Sequence, residues 1–221
     1  MQEIIEKIAT CVEKGKISRT CPFPPEMAGQ DGADEIAAEA LKGGITPDAL
    51  LEGCMLGMER IGKDFEEERA YVPNLVMAAE AMTAVMKHLK PFLESGEVKQ
   101  KGTFVIGTVA GDLHDIGKNL VSMIIEGGGY KVVDLGVDVA TEKFLDALKE
   151  HPGCFIGLSA LLTTTMENMG DSVKAIKTAS PETRVLIGGA PVSESFRDRV
   201  GADFYSPNAQ HAVKFLNEHL P

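Results

Sequence analysis

The sequence predicts an α + α/β chain, with a helical bundle over residues 1–97 followed by a doubly wound domain of five parallel strands over residues 98–221. Three observations carry this. Up to about residue 93, apolar side chains recur at three- and four-residue spacing. Residues 94–101, Glu-Ser-Gly-Glu-Val-Lys-Gln-Lys, are mostly polar and read as a linker. Beyond Thr103, short β-branched runs alternate five times with helical stretches.

In order, residues 2–14 carry Ile4, Ile5, Ile8, Ala9 and Val12 on one helical stripe. Pro22, Pro24 and Pro25 then forbid regular structure, because each fixes φ and removes a donor. Asp34–Leu41 is helical and stops at Gly43-Gly44. Thr46 is a candidate cap with Pro47 in the first turn of a helix reaching about Phe65. Glu66-Glu67-Glu68-Arg69 reads as a solvated turn, and residues 72–93 as a last long helix. Met55, Met58, Met77, Met82 and Met86 have helical spacing; they suit a core or an adaptable cover over a ligand. After the linker come strands at 103–109, 131–135, 154–159, 184–187 and 203–205. The helices between and after them span 119–126, 141–149, 166–178, 194–200 and 209–220. This alternation is that of a Rossmann-like, flavodoxin-sized sheet.

Apolar residues make up 44% of the 221 and aromatics only 5%, without tryptophan, so aliphatic side chains must fill the core. Net charge is -11, with 18 acids against 10 bases in residues 1–97 and 15 against 12 in residues 98–221. Neither part offers the basic field that a nucleic-acid backbone or an anionic membrane surface needs. Cys11, Cys21, Cys54 and Cys154 form no paired framework and suggest reduced thiols in a cytoplasmic protein. The first residues look unlike a secretory signal, and no apolar run approaches the roughly 18 residues of a membrane span.

In a doubly wound sheet, ligands lie at the carboxyl ends of the strands, and the unusual residues fall there. They are Asp112-x-His114-x-x-Gly117 after the first strand, Ser159 with Thr163, Thr164 and Thr165 after the third, Gly188-Gly189 after the fourth, and Ser206-Pro207-Asn208 after the fifth. Imidazole ligates transition metals and usually gives its other ring proton to a carboxylate, a role open to Asp112. A hydroxyl from Thr163–Thr165 can in turn orient Asp112. A loop histidine held only for structure is the competing reading, and one histidine is no complete metal site. Asp115 suits the start of the next helix. Glycines 107, 111, 117, 157, 188 and 189 can admit a bulky ligand or simply make turns and helix–sheet contacts. Neither a dinucleotide fingerprint nor a P-loop is present, and the order of His114 and Ser159 does not match a nucleophile elbow. His88, His151, His211 and His219 read as surface groups.

Asp112-x-His114-x-x-Gly117, 41 residues, Ser159-x-Leu161, 26 residues and Gly188-Gly189 together resemble the cobalamin-binding signature. Gly57-Met58-Glu59-Arg60-Ile61-Gly62-Lys63-Asp64-Phe65 and Tyr71-Val72-Pro73 resemble the helical module that accompanies it. The chain is thus similar to the corrinoid proteins of anaerobic methyltransferase systems and to the cobalamin module of methionine synthase. The resemblance implies a cobalamin or related cobamide held base-off, methylcobalamin in the loaded state. His114 would ligate cobalt from below, Asp112 would accept the other ring proton, and Thr165 would complete the relay where the family places a serine. Gly117, Ser159, Leu161, Thr163, Gly188 and Gly189 would line the pocket and the slot for the nucleotide tail. Phe65 and Val72 would cover the upper cobalt face, Val72 being smaller than the leucine of methionine synthase.

The same resemblance implies a methyl carrier that turns over only with partners. Co(I) takes a methyl group from a substrate-specific methyltransferase, and an acceptor methyltransferase passes it to tetrahydrofolate or to a thiol such as coenzyme M. A reductive activase is a further expected partner, and the helical module must move aside for access. The rival readings are the cobalamin subunit of an adenosylcobalamin-dependent mutase, a cobalamin sensor, and a flavodoxin-like interaction protein that has lost its ligand. The helical module argues against the first, the acidic first half against the second, and the intact motif set against the third.

Overall fold

The computed structural model describes residues 1–95 and 99–220. The chain divides into two units, Met1–Gln100 with Gly127–Gly129, and Lys101–Glu126 with Tyr130–Pro221. The expected boundary between residues 97 and 98 lies outside the described residues.

Among the described residues, the first unit has four α-helices, α1 (Gln2–Lys14), α2 (Ala33–Lys42), α3 (Pro47–Glu66) and α4 (Val72–Glu94), and a 3-10 turn at Pro25–Met27 within the proline stretch expected to be irregular, where Pro25 opens the turn with its preset φ. The stripe of α1 buries Ile5, Ile8, Ala9 and Val12 against α3. Close approach is possible because α3 presents Gly53 and Gly57, where a Cβ would meet Ile8 at 2.9 Å and the Ala9 carbonyl oxygen at 2.6 Å. Gly15 stops α1 in the left-handed region at φ 69, while Lys16 N–H returns to Cys11 O (2.8 Å). Pro47 takes the first turn of α3 as expected, but Thr46 makes no side-chain cap bond; the helix start relies on proline's preset φ instead. Met58 and Met82 are buried, whereas Met55, Met77 and Met86 are half-buried. All four cysteines are free, and burial pushes the Cys54 thiol up to about 12, which makes it an inert core group.

The second unit is a five-stranded, all-parallel sheet in the order β2-β1-β3-β4-β5. Its strands are β1 (Thr103–Thr108), β2 (Lys131–Asp134), β3 (Phe155–Ser159), β4 (Val185–Gly188) and β5 (Phe204–Ser206). The helices are α5 (Ile116–Gly127), α6 (Thr141–Glu150), α7 (Met166–Ala179), α8 (Glu194–Val200) and α9 (Ala209–Glu218). Strand alternation splits the core. Phe104, Ile106, Phe155 and Leu186 pack with Ile125 of α5 and Ala212, Phe215 and Leu216 of α9. Val105, Ile156, Leu158, Val185 and Ile187 pack with Phe144 of α6, Val173 of α7 and Phe196 of α8. Both faces are covered, hence the near-continuous apolar strands.

Two expectations shift. The helix expected from Asn119 begins at Ile116, because Asn119 N–H already bonds Asp115 O (2.7 Å) and draws the end of the histidine motif into the first turn. Glycines 107 and 157 serve ring packing: a Cβ at Gly107 would lie 2.8 Å from the Phe144 ring, and one at Gly157 would overlap Phe104. Among the described residues, no helix is long and apolar enough to cross a membrane.

Candidate functional site

The strand order reverses between β1 and β3, whose connections leave in opposite directions and open a crevice at their carboxyl ends. Residues 109–115 fill that place. Thr108, buried at the end of β1, donates its hydroxyl to His114 O (2.8 Å) and so folds the loop back over the strand.

Asp112 is fully buried at the centre. Its Oδ1 accepts His114 N–H (3.1 Å) and the His114 ring at Nδ1 (2.7 Å). Its Oδ2 accepts Leu161 N–H (2.7 Å), Leu162 N–H (3.2 Å) and the Thr165 hydroxyl (2.9 Å). Burial alone would raise the carboxyl pKa, but the donors from Leu161, His114 and Thr165 outweigh it and hold Asp112 well below the usual carboxylate range. The group is therefore an ionised, acceptor-only carboxylate. It must face an Nδ1 that carries a proton, which leaves the lone pair of His114 on Nε2. The His114 side chain is half exposed, so Nε2 is available to a ligand.

The rim around it inverts the usual sorting. Leu113 is 71% exposed and Ile116 84%, and Val137, Leu161 and Leu162 also face solvent, while Thr108, Asp112, Lys118 and Thr165 are buried. Such a set of outward apolar groups marks a binding surface. Gly188 lies beside Ser159 in the β3–β4 register, and a Cβ there would sit 3.2 Å from Ser206 O. At Gly189, φ is 124 and a Cβ would overlap the Ala160 carbonyl, so only glycine fits this cradle. The side-chain nitrogen and oxygen of Gln210, in the first turn of α9, are buried without a hydrogen-bond partner.

The structure thus brings Asp112, His114, Leu161 and Thr165 into direct contact and sets Ser159 beside Gly188. Gly117 is exposed in the first turn of α5, and Thr163 is exposed in a short 3-10 turn. Phe65, near the end of α3, is half-buried, and Val72, at the start of α4, is exposed; both belong to the helical unit. Sequence reasoning missed Asp138, whose Oδ1 accepts Gly111 N–H (2.7 Å), and Asn168, whose amide donates to Ala110 O (2.8 Å). It also missed Lys118, which is buried and bonded to Asp134 and to Asn119 Oδ1 (2.6 Å). Lys118 stands one residue after the motif and could have been noticed, whereas Asp138 and Asn168 arrive from distant elements without a spacing signal.

Among the described residues no three His, Cys, Asp or Glu side chains group to hold a metal ion. His114 can offer one nitrogen to a metal whose other ligands come with it. Such a donor set fits a metal carried in an organic cofactor rather than a free ion.

Comparison with known proteins agrees. A family model described as "B12 binding domain" matches residues 102–214, and a second of the same description matches residues 29–90. Trimethylamine corrinoid protein 1 of Methanosarcina mazei is 41% identical over 193 residues, covering 85% of this chain and 89% of its own. Dimethylamine corrinoid protein 3 of Methanosarcina acetivorans is 38% identical over 187 residues, with 83% and 88% covered. Among solved structures, a cobalamin-binding protein from Desulfitobacterium hafniense DCB-2 matches with a TM-score of 0.74 at 30% identity, over 97% of both chains. The methanol:cobalamin methyltransferase complex MtaBC from Methanosarcina barkeri matches with a TM-score of 0.79 at 29% identity, over 98% of this chain and 79% of that one.

Proposed function

The chain belongs to the family of B12-binding corrinoid proteins, and on that premise we propose that it carries methyl groups from a substrate-specific methyltransferase to an acceptor methyltransferase. The observation that carries the reading is the locked His114 imidazole, with Nδ1 held by Asp112 (2.7 Å) and Nε2 free on an exposed side chain. A methylated amine is the donor class we assign, since the relatives at 38–41% identity are named for trimethylamine and dimethylamine. Tetrahydrofolate or a thiol is the acceptor class, and a reductive activase is a third partner.

When bound, the corrinoid supplies the cobalt on which the methyl group travels. The protein's part is orientation. His114 would hold the cobalt through Nε2. Asp112 keeps the proton on Nδ1, and the Leu161 and Leu162 amides with the Thr165 hydroxyl keep Asp112 ionised and in place. The exposed Leu113, Ile116, Leu161 and Leu162 would shield the bound corrinoid from water. Gly117, Ser159, Thr163, Gly188 and Gly189 are assigned to the nucleotide tail and its entrance. On the sequence pattern alone, Phe65 and Val72 are assigned to covering the corrinoid, residues 1–97 to a cap domain and residues 98–221 to the corrinoid-binding domain.

The test is reconstitution with hydroxocobalamin and visible spectra of wild type and His114→Ala. The expected result is one corrinoid per chain with a histidine-ligated spectrum that changes in His114→Ala. A wild type that takes up no corrinoid would remove the reading, and an unchanged spectrum in the variant would remove the ligand assignment.

A further inference from the structure

His114 takes its aim from Asp112, and the backbone of Asp112 is held in turn from the far side of β1. Asp138 lies in the turn after β2 with φ 51, a left-handed conformation that Asp and Asn tolerate better than most other side chains. Two hydrogen bonds join it to the ligand loop. Its N–H donates to Asp112 O (2.9 Å), and its Oδ1 accepts Gly111 N–H (2.7 Å). One residue thus grips two consecutive residues of the other loop, one through its backbone and one through its carboxylate.

The rest of the turn reinforces this hold. Gly136 O accepts Thr108 N–H (3.0 Å), and Thr108 donates its hydroxyl to His114 O. Asp134 accepts Gly136 N–H (2.8 Å) and the buried Lys118 ammonium, four residues beyond His114. The five residues 134–138 therefore grip the ligand loop at its beginning, its middle and its end. The bonds of Asp138, of Gly136 O and of the Asp134 carboxylate to Lys118 all reach residues 108–118, the stretch that carries Asp112 and His114, while Gly136 N–H closes the turn itself and Leu135 N–H bonds Ile106 O (2.8 Å) in β1.

We propose that Asp138 is a positioning residue for the His114 ligand: by holding Gly111 and Asp112 it sets the direction in which Nε2 points. The proposal rests on the reading of His114 as the lower cobalt ligand. Asp138→Gly removes the carboxylate while permitting the left-handed backbone, and Asp138→Asn keeps an acceptor oxygen at the same place.

Both variants are made in the full chain. In the ligand-free protein, amide exchange is read at His114 and Leu161, two of the three backbone amides that donate to Asp112, and at Ile156 in β3 as a control. Asp138→Gly is expected to exchange roughly tenfold faster at the first two sites and unchanged at Ile156, with Asp138→Asn near wild type. After loading with hydroxocobalamin and reduction to Co(II), the nitrogen splitting in the electron paramagnetic resonance spectrum reads histidine ligation directly. It is expected to weaken in Asp138→Gly and to persist in Asp138→Asn. Wild-type exchange in Asp138→Gly overturns the proposal, and so does faster exchange with full nitrogen splitting. A wild type without nitrogen splitting overturns the axial assignment itself and takes the proposal with it, so the two failures are distinguishable.

Discussion

The helical unit and the carboxyl rim of the sheet place most of their polar groups in opposite ways, the exception in the helical unit being Lys16, which is buried and donates to Cys21 O (2.7 Å). In the helical unit the ion pairs lie outside: Arg60 forks onto Glu6 (2.7 and 2.9 Å), and His88 meets Asp34 (2.7 Å), with solvent around each. Its apolar side chains lie inside, apart from Met1 and the start of α4 at Tyr71 and Val72. At the rim the order is reversed, with Asp112 and Thr165 buried while Leu113 and Ile116 face water. Exposed pairs contribute little to stability, whereas a buried polar group that loses a partner is costly. The difference teaches that the rim gives up ordinary sorting to hold one geometry, and that its apolar surface is left for something else to cover.

Glycines offer the largest test of that contrast. Gly189→Ala drives a Cβ into the Ala160 carbonyl at φ 124 and is expected to cost roughly 4 kcal/mol or more, seen as a collapsed melting transition of the sheet unit. Gly29→Ala, at φ 75 with open space around it, is expected to cost only about 1 kcal/mol. Equal losses at the two sites would break the comparison.

Next comes the carboxylate. Asp112→Ala strips the acceptor from His114, Leu161, Leu162 and Thr165 together and should cost about 3 kcal/mol in urea unfolding. Glu6→Ala, which breaks an exposed pair, should leave the urea midpoint unchanged within error. A fall in both midpoints alike would show that the rim network is no more constrained than the surface.

A pH effect of intermediate size is expected from Tyr130, whose phenol is pushed up to about 12 by burial and donates to Asn217 Oδ1 (3.0 Å). Its unfolded value is near 10. Between those values the unfolded chain releases a proton that the folded chain keeps, so the contribution is complete below pH 10 and lost as pH rises towards 12. Wild type should lose on the order of 2 kcal/mol more than Tyr130→Phe across that window. Parallel stability curves for the two would refute the shift.

The smallest stability effect, with the sharpest loss of ligand geometry, belongs to His114→Ala. Its side chain is half exposed, but its ring is one of several donors to the buried Asp112, so stability should fall by about 1 kcal/mol while the histidine-ligated spectrum disappears. A large drop in melting temperature would place His114 with the structural residues instead.

The fold was largely legible because a parallel sheet covered on both faces writes itself as apolar runs, as Phe104–Ile106 and Val185–Ile187 do. Asp112 and His114 were legible because a two-residue spacing lets one side chain reach the other's ring without help from the rest of the chain. Leu161 and Thr165, which also reach Asp112, were named through the family resemblance, whereas Asp138 and Asn168 were not legible, for the same physical reason. Asp138 touches Gly111 across 27 residues and Asn168 touches Ala110 across 58, and a contact made only after folding leaves no local period. Asp115 signalled a helix start, but the turn at Ile116 was placed three residues late because Gly117 follows at once and weakens the helical pattern there.

The two outermost strands have a consequence for the molecule's social behaviour. β2 has four residues with Lys131 and Asp134 at its ends, and β5 has three. Edges this brief and this charged are poor templates for another chain's backbone. For the proposed carrier, which meets different enzymes in turn, self-association would compete with those encounters. The flanks of the sheet are thus poor docking edges, and its exposed apolar groups gather at the carboxyl ends of the strands.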